Sequence, residues 1–474
     1  MTIAGHADQH KGIAGSLNLN EIVDGQRLGP ASIPFVVMAV LIMISDGFDL
    51  SAMGYIAPEL AKQWGLKPVA FVPAFSAGII GMMIGGPLLG YLGDRHGRKR
   101  LVIAGMVMIG VFTLLTVAVR SPTDLVVLRF LTGIGLGGVI PNAAALVAEI
   151  MPRRIRGRML VIITLGIPIG ISLPGLVAAT LVPVFGWKAI LLIGGILPLV
   201  VAAGSMFFLP ESVKYLMARG DRDIAVRRIV RRLRPDLQLA DHSRIVLPPS
   251  DIGARRGAFR DMFAGDFAVV TPLLWVCQAA NQMANFFALT WLPTLLQASG
   301  ASTAHAGASA SLFSLGGLLS GLMLLLILDR VGIIPVVLLF LLGAPLVACM
   351  ALTDLPPEMH VAIIVGAGAC VTGVQIGLTA LLGLFYPTAI RSTGTGWTQA
   401  AGRVGALAAP VVGGILLGFD IPMHSLPLAP AMLMAAGTVA CAFLAWRCVR
   451  RFGGVHPGEF SVAPSRAGAE TSLI

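Results

Sequence analysis

Charge is what this chain has little of. Only 12% of its 474 residues are Asp, Glu, Lys or Arg, and 56% are hydrophobic. A soluble chain carries about 25% charged residues, so a solvated globular domain of this length is excluded. Cysteine is scarce: Cys277, Cys349, Cys370, Cys441 and Cys448 fall in or at the ends of apolar runs, with no metal-ligand spacing and no disulfide framework. They read as small interior hydrophobes. The sequence shows no nucleotide loop, no metal cluster and no nucleophile–base constellation, and its eight histidines are scattered. No cofactor and no metal are expected, and an enzyme ranks last among the classes. No signal peptide is apparent either, since the first 30 residues are polar and the first apolar run is long enough to stay as a helix.

Apolar length is what the chain has. Runs of about 20 residues span ~30 Å of hydrocarbon, and twelve of them recur between residues 31 and 449. Only helices or closed barrels satisfy the backbone in lipid, and runs this long predict helices. Gly (57) and Pro (30) are plentiful, as expected where bundled helices pack closely or kink. The expected fold class is an all-α polytopic membrane protein with twelve transmembrane helices.

The net charge of +11 is unevenly placed. Basic residues gather after span 2 (Arg95, Arg98, Lys99, Arg100), after span 4 (Arg153, Arg154, Arg156, Arg158) and throughout the segment between spans 6 and 7. The opposite loops offer only Lys62, Lys67, Arg120 and Lys188. The positive-inside rule then predicts a multi-pass protein of the cytoplasmic (inner) membrane with both termini cytoplasmic. This orientation signal accounts for the charge without nucleic-acid binding.

The chain repeats itself. At an offset of 235 residues Pro58 meets Pro293, Gly81 meets Gly316, Asp94-Arg95 meets Asp329-Arg330, Gly133 meets Gly368 and Gly170 meets Gly405. This predicts two pseudo-symmetric six-helix halves, 31–209 and 267–450, joined by a cytoplasmic basic loop, 210–266. Residues 1–30 and 451–474 are expected to be cytoplasmic tails. Within the loop, Ile224, Ile229, Val230 and Leu233 give residues 222–234 an apolar side at helical spacing, which predicts a basic helix on the inner membrane surface.

Asp46 and Asp49 lie inside the first apolar run, where a charge costs roughly 2.5–3.5 kcal/mol. They are three residues apart and share a helix face, with Gly47 between them allowing close approach of another helix. Two carboxylates so close suit a proton that is picked up and released. The alternative is a static pair with Arg129, which enters span 4 at similar depth. Arg403 lies about nine residues into span 11, some 13 Å deep at 1.5 Å per residue. A guanidinium there needs an anion, either a substrate carboxylate held bidentately or a permanent partner such as Asp46 or Asp49. At the 235 offset Asp46 falls on Asn281, Asp49 on Ala284 and Arg403 on Pro168, so these charges belong to one half each.

The loop Gly90-Tyr91-Leu92-Gly93-Asp94-Arg95-His96-Gly97-Arg98-Lys99-Arg100 resembles the signature of the major facilitator superfamily, with a degenerate copy at Leu328-Asp329-Arg330-Val331-Gly332. Asp94 at a helix end suits a charge latch that opens and closes, and Arg95, Arg98, Glu149, Asp329, Arg330 and Arg391 are the other expected gate residues. Asp46-Gly47-Phe48-Asp49 resembles the aromatic acid:proton symporters. Similar to that family too are Arg129 with Gly133 to Gly138, Trp291-Leu292-Pro293, Tyr386 to Trp397 and Gly402-Arg403-Val404-Gly405. Such proteins often carry Asn four residues after the span-10 Gln; here Gln375 is followed by Thr379.

The resemblance implies the major facilitator fold and import of small aromatic carboxylates, benzoate- or hydroxybenzoate-like, with protons by alternating access. Asp46 and Asp49 would handle the proton. Arg403, Arg129, Asn281, Asn285, Gln375, Phe48 and Trp291 would meet the substrate, with Gln278, Tyr55, Phe286 and Phe287 as further polar or stacking candidates. The expected partners are the aromatic acid, protons and membrane lipid, with no obligatory protein partner and no cofactor beyond the proton gradient. A proton-coupled efflux transporter of the same fold and a membrane chemoreceptor for aromatic acids are the alternatives.

Overall fold

In the computed structural model the described residues are 16–26, 32–218, 223–233, 244–246, 259–352, 356–386 and 390–452. Twelve long helices carry the fold. The first six are α1 (Ile33–Trp64), α2 (Val72–His96), α3 (Arg98–Leu115), α4 (Pro122–Ile150), α5 (Arg153–Thr164, continued by Gly166–Thr180) and α6 (Lys188–Phe208). The second six are α7 (Phe267–Ala298), α8 (Thr303–Val331), α9 (Ile334–Cys349), α10 (Pro357–Phe385), α11 (Arg391–Gly418) and α12 (Leu428–Phe452). Ten of them are long and apolar enough to cross a bilayer by those criteria alone. The other two are α9, which is short, and α7, whose Gln278, Asn281, Gln282 and Asn285 dilute its hydropathy. One end of the bundle carries the turn at Gly97; the other carries the turn at Gly65.

The helices pack where side chains are missing. A Cβ on Gly170 would lie 2.1 Å from the carbonyl oxygen of Ile44, so α5 touches the backbone of α1. The same contact recurs in the second half, where a Cβ on Gly405 would lie 2.1 Å from the carbonyl of Ala279. Gly81 against Phe130 in α2–α4 is repeated by Gly316 against Val365 in α8–α10, and Gly133 against Gly78 by Gly368 against Phe313. All three pairs obey the 235-residue offset. The internal repeat is therefore built into helix–helix contact, where only small residues permit backbones to meet.

Two expectations are corrected. Residues 1–30 are not uniformly a tail: Ser16–Asn18 forms a short parallel ladder with Arg244–Val246, and Leu19–Asp24 is helical. The apolar side of the helix Asp223–Leu233 does not face lipid. Val226 and Val230 are buried with Ile22, Val23, Val213 and Leu216, and Ile229 packs at the edge. The hydrophobic side has a protein partner that lies two hundred residues earlier, which periodicity could not reveal. The side chains of Ile224 and Leu233 lie outside the described residues.

Candidate functional site

The first half supplies a closed ion pair. Arg129 on α4 and Asp49 on α1 approach to 3.2 Å, both nearly fully buried. Thr113 on α3 donates its hydroxyl to Asp49 Oδ1 at 2.8 Å and accepts from Arg129 Nη2 at 3.4 Å. Arg129 is thus paired with Asp49 in this structure. Asp46 is different. Both of its carboxylate oxygens are buried and meet no hydrogen-bond partner among the described residues. The charge acting on it from the opposite half is that of Arg403.

The second half supplies that guanidinium and an amide wall. Arg403 on α11 is partly buried, and its Nη1 stands 3.8 Å from Met82 Sδ on α2. Beside it Gly402 lets α7 close in, so that a Cβ there would lie 2.8 Å from Gln278 Cγ. Asn281 donates to Gln375 at 2.9 Å, and Gln278 donates to Gln399 at 3.0 Å. The carbonyl oxygens Asn281 Oδ1 and Gln278 Oε1 have no hydrogen-bond partner among the described residues. Asn285 is partly buried one turn further along α7. Thr379 bonds back to the carbonyl of Gln375 at 2.8 Å and adds nothing to this wall.

Between the halves lies a void of about 470 Å³ including its mouth, lined by Asp49, Arg129, Met82, Phe75, Phe286 and Thr290 among others. The enclosed part of it is only about 50 Å³, smaller than a ligand pocket, and its lining is mostly apolar with a few polar groups. Of the aromatics expected to stack there, Phe286 lines it. Phe48 points instead at α6, where a Cβ on Gly194 would lie 2.8 Å from its ring. Trp291 is buried between α7 and α11, and its indole N–H donates to the carbonyl of Ala409 at 3.4 Å.

The Gly97 face carries a cluster of ion pairs. Arg98 binds Asp94 at 3.1 Å and Glu149 at 3.4 Å, linking α2, α3 and α4. Ser212 donates to the other Glu149 oxygen. Glu211 accepts from the backbone N–H of Lys99 at 3.0 Å, capping α3. Gly97 is obligatory there, with φ of 106° and with the Glu211 carboxylate 2.5 Å from where a Cβ would stand. Arg95 is exposed. The side chains of Asp329, Arg330 and Arg391 lie outside the described residues. Nearby, Tyr386 donates to Thr271 at 3.2 Å, and burial pushes its phenol above the ordinary value, so it stays neutral.

Sequence reasoning missed Thr113, Met82, Gln399, Glu211 and Ser212. For Glu211 a signal existed, as an acid directly after span 6 in an otherwise basic segment. For a lone threonine in an apolar run there was none.

Twelve helices in two repeated halves, enclosing buried charges and a small void at their seam, define a polytopic membrane transporter. The chain belongs to the Major Facilitator Superfamily, matched over residues 39–249 and 274–467. It is 35% identical over 425 residues to the 4-hydroxybenzoate transporter PcaK of Pseudomonas aeruginosa, covering 89% of this chain and 95% of that protein. It is 32% identical to the gallate transporter of Pseudomonas putida, covering 90% and 95%. The crystal structure of a D-xylose-proton symporter shares its fold, with TM-score 0.67 and 18% identity over 87% of this chain and 97% of that one.

Proposed function

We propose that this protein imports a small aromatic carboxylate together with protons across the inner membrane, with the Gly97 face in the cytoplasm. The observation that carries the reading is a buried carboxyl, Asp46, without a hydrogen-bond partner among the described residues and under the charge of a guanidinium from the other half, Arg403, which has no carboxylate within salt-bridge reach among them. A substrate carboxylate supplies the anion that Arg403 needs, in a bidentate fork. The ring of the substrate fills the void beside Phe75 and Phe286. The open carbonyls of Asn281 and Gln278 accept from ring substituents. The aromatic acids named for the similar transporters supply the substrate class.

Asp46 takes the coupling proton, passing between carboxylate and neutral carboxylic acid, while Asp49 stays with Arg129. With the carboxyl neutral and Arg403 holding the substrate anion, the buried charge at the seam is balanced, and the halves can rock about it. Alternating access follows because proton and anion favour the same conformational change. The Arg98–Glu149 latch opens and closes the cytoplasmic side. The halves are taken as 31–209 and 267–450, with 210–266 as the cytoplasmic connection.

The test is uptake of radiolabelled 4-hydroxybenzoate, gallate and benzoate into proteoliposomes under an imposed pH gradient. Accumulation of at least one, abolished by a protonophore, is expected. Uptake indifferent to the protonophore sinks the symport reading, export from preloaded vesicles favours an efflux pump, and binding without flux favours a receptor.

A further inference from the structure

Three helices each place one group in a closed ring: the carboxylate of Asp49 from α1, the hydroxyl of Thr113 from α3 and the guanidinium of Arg129 from α4. Arg129 Nη1 reaches Asp49 Oδ1 at 3.4 Å and Oδ2 at 3.2 Å. Thr113 is fully buried and has one proton to give and lone pairs to receive. It uses both, giving to Asp49 at 2.8 Å and receiving from Arg129 at 3.4 Å. Both Asp49 oxygens are acceptors in this ring, and hydrogen bonds to the charged form favour that form over the protonated one.

Asp46 sits three residues earlier on the same helix, with both oxygens buried and without a hydrogen-bond partner among the described residues. The two carboxylates, equivalent by sequence, are therefore unlike in surroundings, and the hydroxyl from α3 is one of the groups that makes them so. The ring is also absent as a set from the second half. At the 235-residue offset its members are replaced by Ala284, Ala348 and Ile364. The repeated fold stands without it, so the ring serves something that the first half alone does.

We propose that Thr113 is a positioning residue for energy coupling: it commits Asp49 to Arg129, so that Asp46 alone exchanges the coupling proton. This rests on the symport reading above. Without the hydroxyl, Asp49 is held by Arg129 only and competes with Asp46 for the proton. Substrate then moves without the full proton cycle, and the driving force slips.

The experiment compares Thr113→Val, which keeps the shape and removes the hydroxyl, with Thr113→Ser, which keeps the hydroxyl. Each is reconstituted beside the wild type and assayed with radiolabelled 4-hydroxybenzoate in two ways. One is accumulation driven by a pH gradient; the other is exchange at equal pH, which needs no net proton movement. Thr113→Val is expected to lower accumulation about tenfold more than exchange, the loss of one hydrogen bond to a charged group, and Thr113→Ser to restore the ratio. A wild-type ratio in Thr113→Val, whether both rates hold or both fall, overturns the proposal, as does failure of serine to restore it.

A second measurement does not need transport. The effect of Thr113→Val on the melting temperature is measured in the wild type and in the pair Asp49→Ala/Arg129→Ala, which removes both the acceptor and the donor. The effect of the valine is expected to vanish in that background, because its partners are gone. An undiminished effect overturns the ring. A wild type that accumulates no aromatic acid sinks the symport reading instead, and the melting comparison still decides the ring.

Discussion

Ser311 on α8 donates its hydroxyl to the main-chain carbonyl of Ser172 on α5 at 2.7 Å, across the seam between the two halves. The seam is closed towards the Gly65 face by two more such bonds. Lys62 donates to Gln297 at 3.0 Å, and Thr303 donates to Glu59 at 2.9 Å. The same region has no room for side chains: a Cβ on Gly175 would lie 2.1 Å from Ser311 Oγ, and one on Gly54 would lie 2.1 Å from the carbonyl of Leu289.

Gly175→Val is accordingly expected to hold the halves apart on the Gly65 face. Transport falls about tenfold or more, since packed interfaces have two positions and not a continuum. The check is thiol labelling of a Leu289→Cys probe from outside, which speeds up when Gly175→Val is added. Unchanged labelling sinks the assignment of this seam as the outer gate.

Asp46→Asn removes the proton site and leaves a side chain of the same shape. In the wild type, accumulation rises as the pH on the loading side falls, because protons load Asp46 from there. The asparagine variant is expected to lose this pH dependence. Uptake by right-side-out vesicles across an external pH series checks it, and a slope equal to the wild type would falsify the role of Asp46.

Arg403→Lys keeps the charge and loses the fork. Kd is expected to rise about tenfold, and for Arg403→Ala about a hundredfold, as for truncating one partner of a buried charge pair. Equilibrium binding of 4-hydroxybenzoate in detergent gives the measurement; affinities equal to the wild type in both variants contradict substrate contact.

Arg98→Ala removes the cation from Glu149, which is only 8% exposed in its side chain. The loss is about 1–2 kcal/mol, discounted because Arg98 itself is partly solvated. A lower melting temperature is expected, with recovery in Arg98→Ala/Glu149→Gln, where no lone buried charge remains. If the second substitution brings no recovery, the two residues do not form the latch.

Trp291→Phe removes one hydrogen bond, to Ala409, and keeps a ring between α7 and α11. About 1 kcal/mol of stability goes, while KM stays at the wild-type value. A raised KM with unchanged melting would return Trp291 to the binding site.

Several parts were legible because one-dimensional pattern carries them. Apolar length gave the twelve helices, and the 235 offset gave the two halves, down to Gly170 and Gly405 meeting the equivalent carbonyls of Ile44 and Ala279. Asp46, Asp49, Arg129 and Arg403 were conspicuous because charge in lipid is costly. The aromatics were less legible. Phe48 and Trp291 look like stacking residues by type, but a helix turns 100° per residue, and only packed neighbours decide which ring reaches the void. The N-terminal segment was misread for a similar reason. Ile22 and Val23 make too short an apolar signal until Val226 and Val230 are brought against them.

The sequence by itself determined the class of the protein, since composition decides the solvent it can live in and the repeat decides its symmetry. It also determined which charges are out of place. Only the tertiary structure decided what those charges do. Asp46 and Asp49 are equals along the chain, yet Asp49 is closed in a ring by groups from two other helices while Asp46 has no hydrogen-bond partner among the described residues and is under the charge of Arg403. That difference depends on contacts 64 and 80 residues away, and such distances are brought together only by the fold.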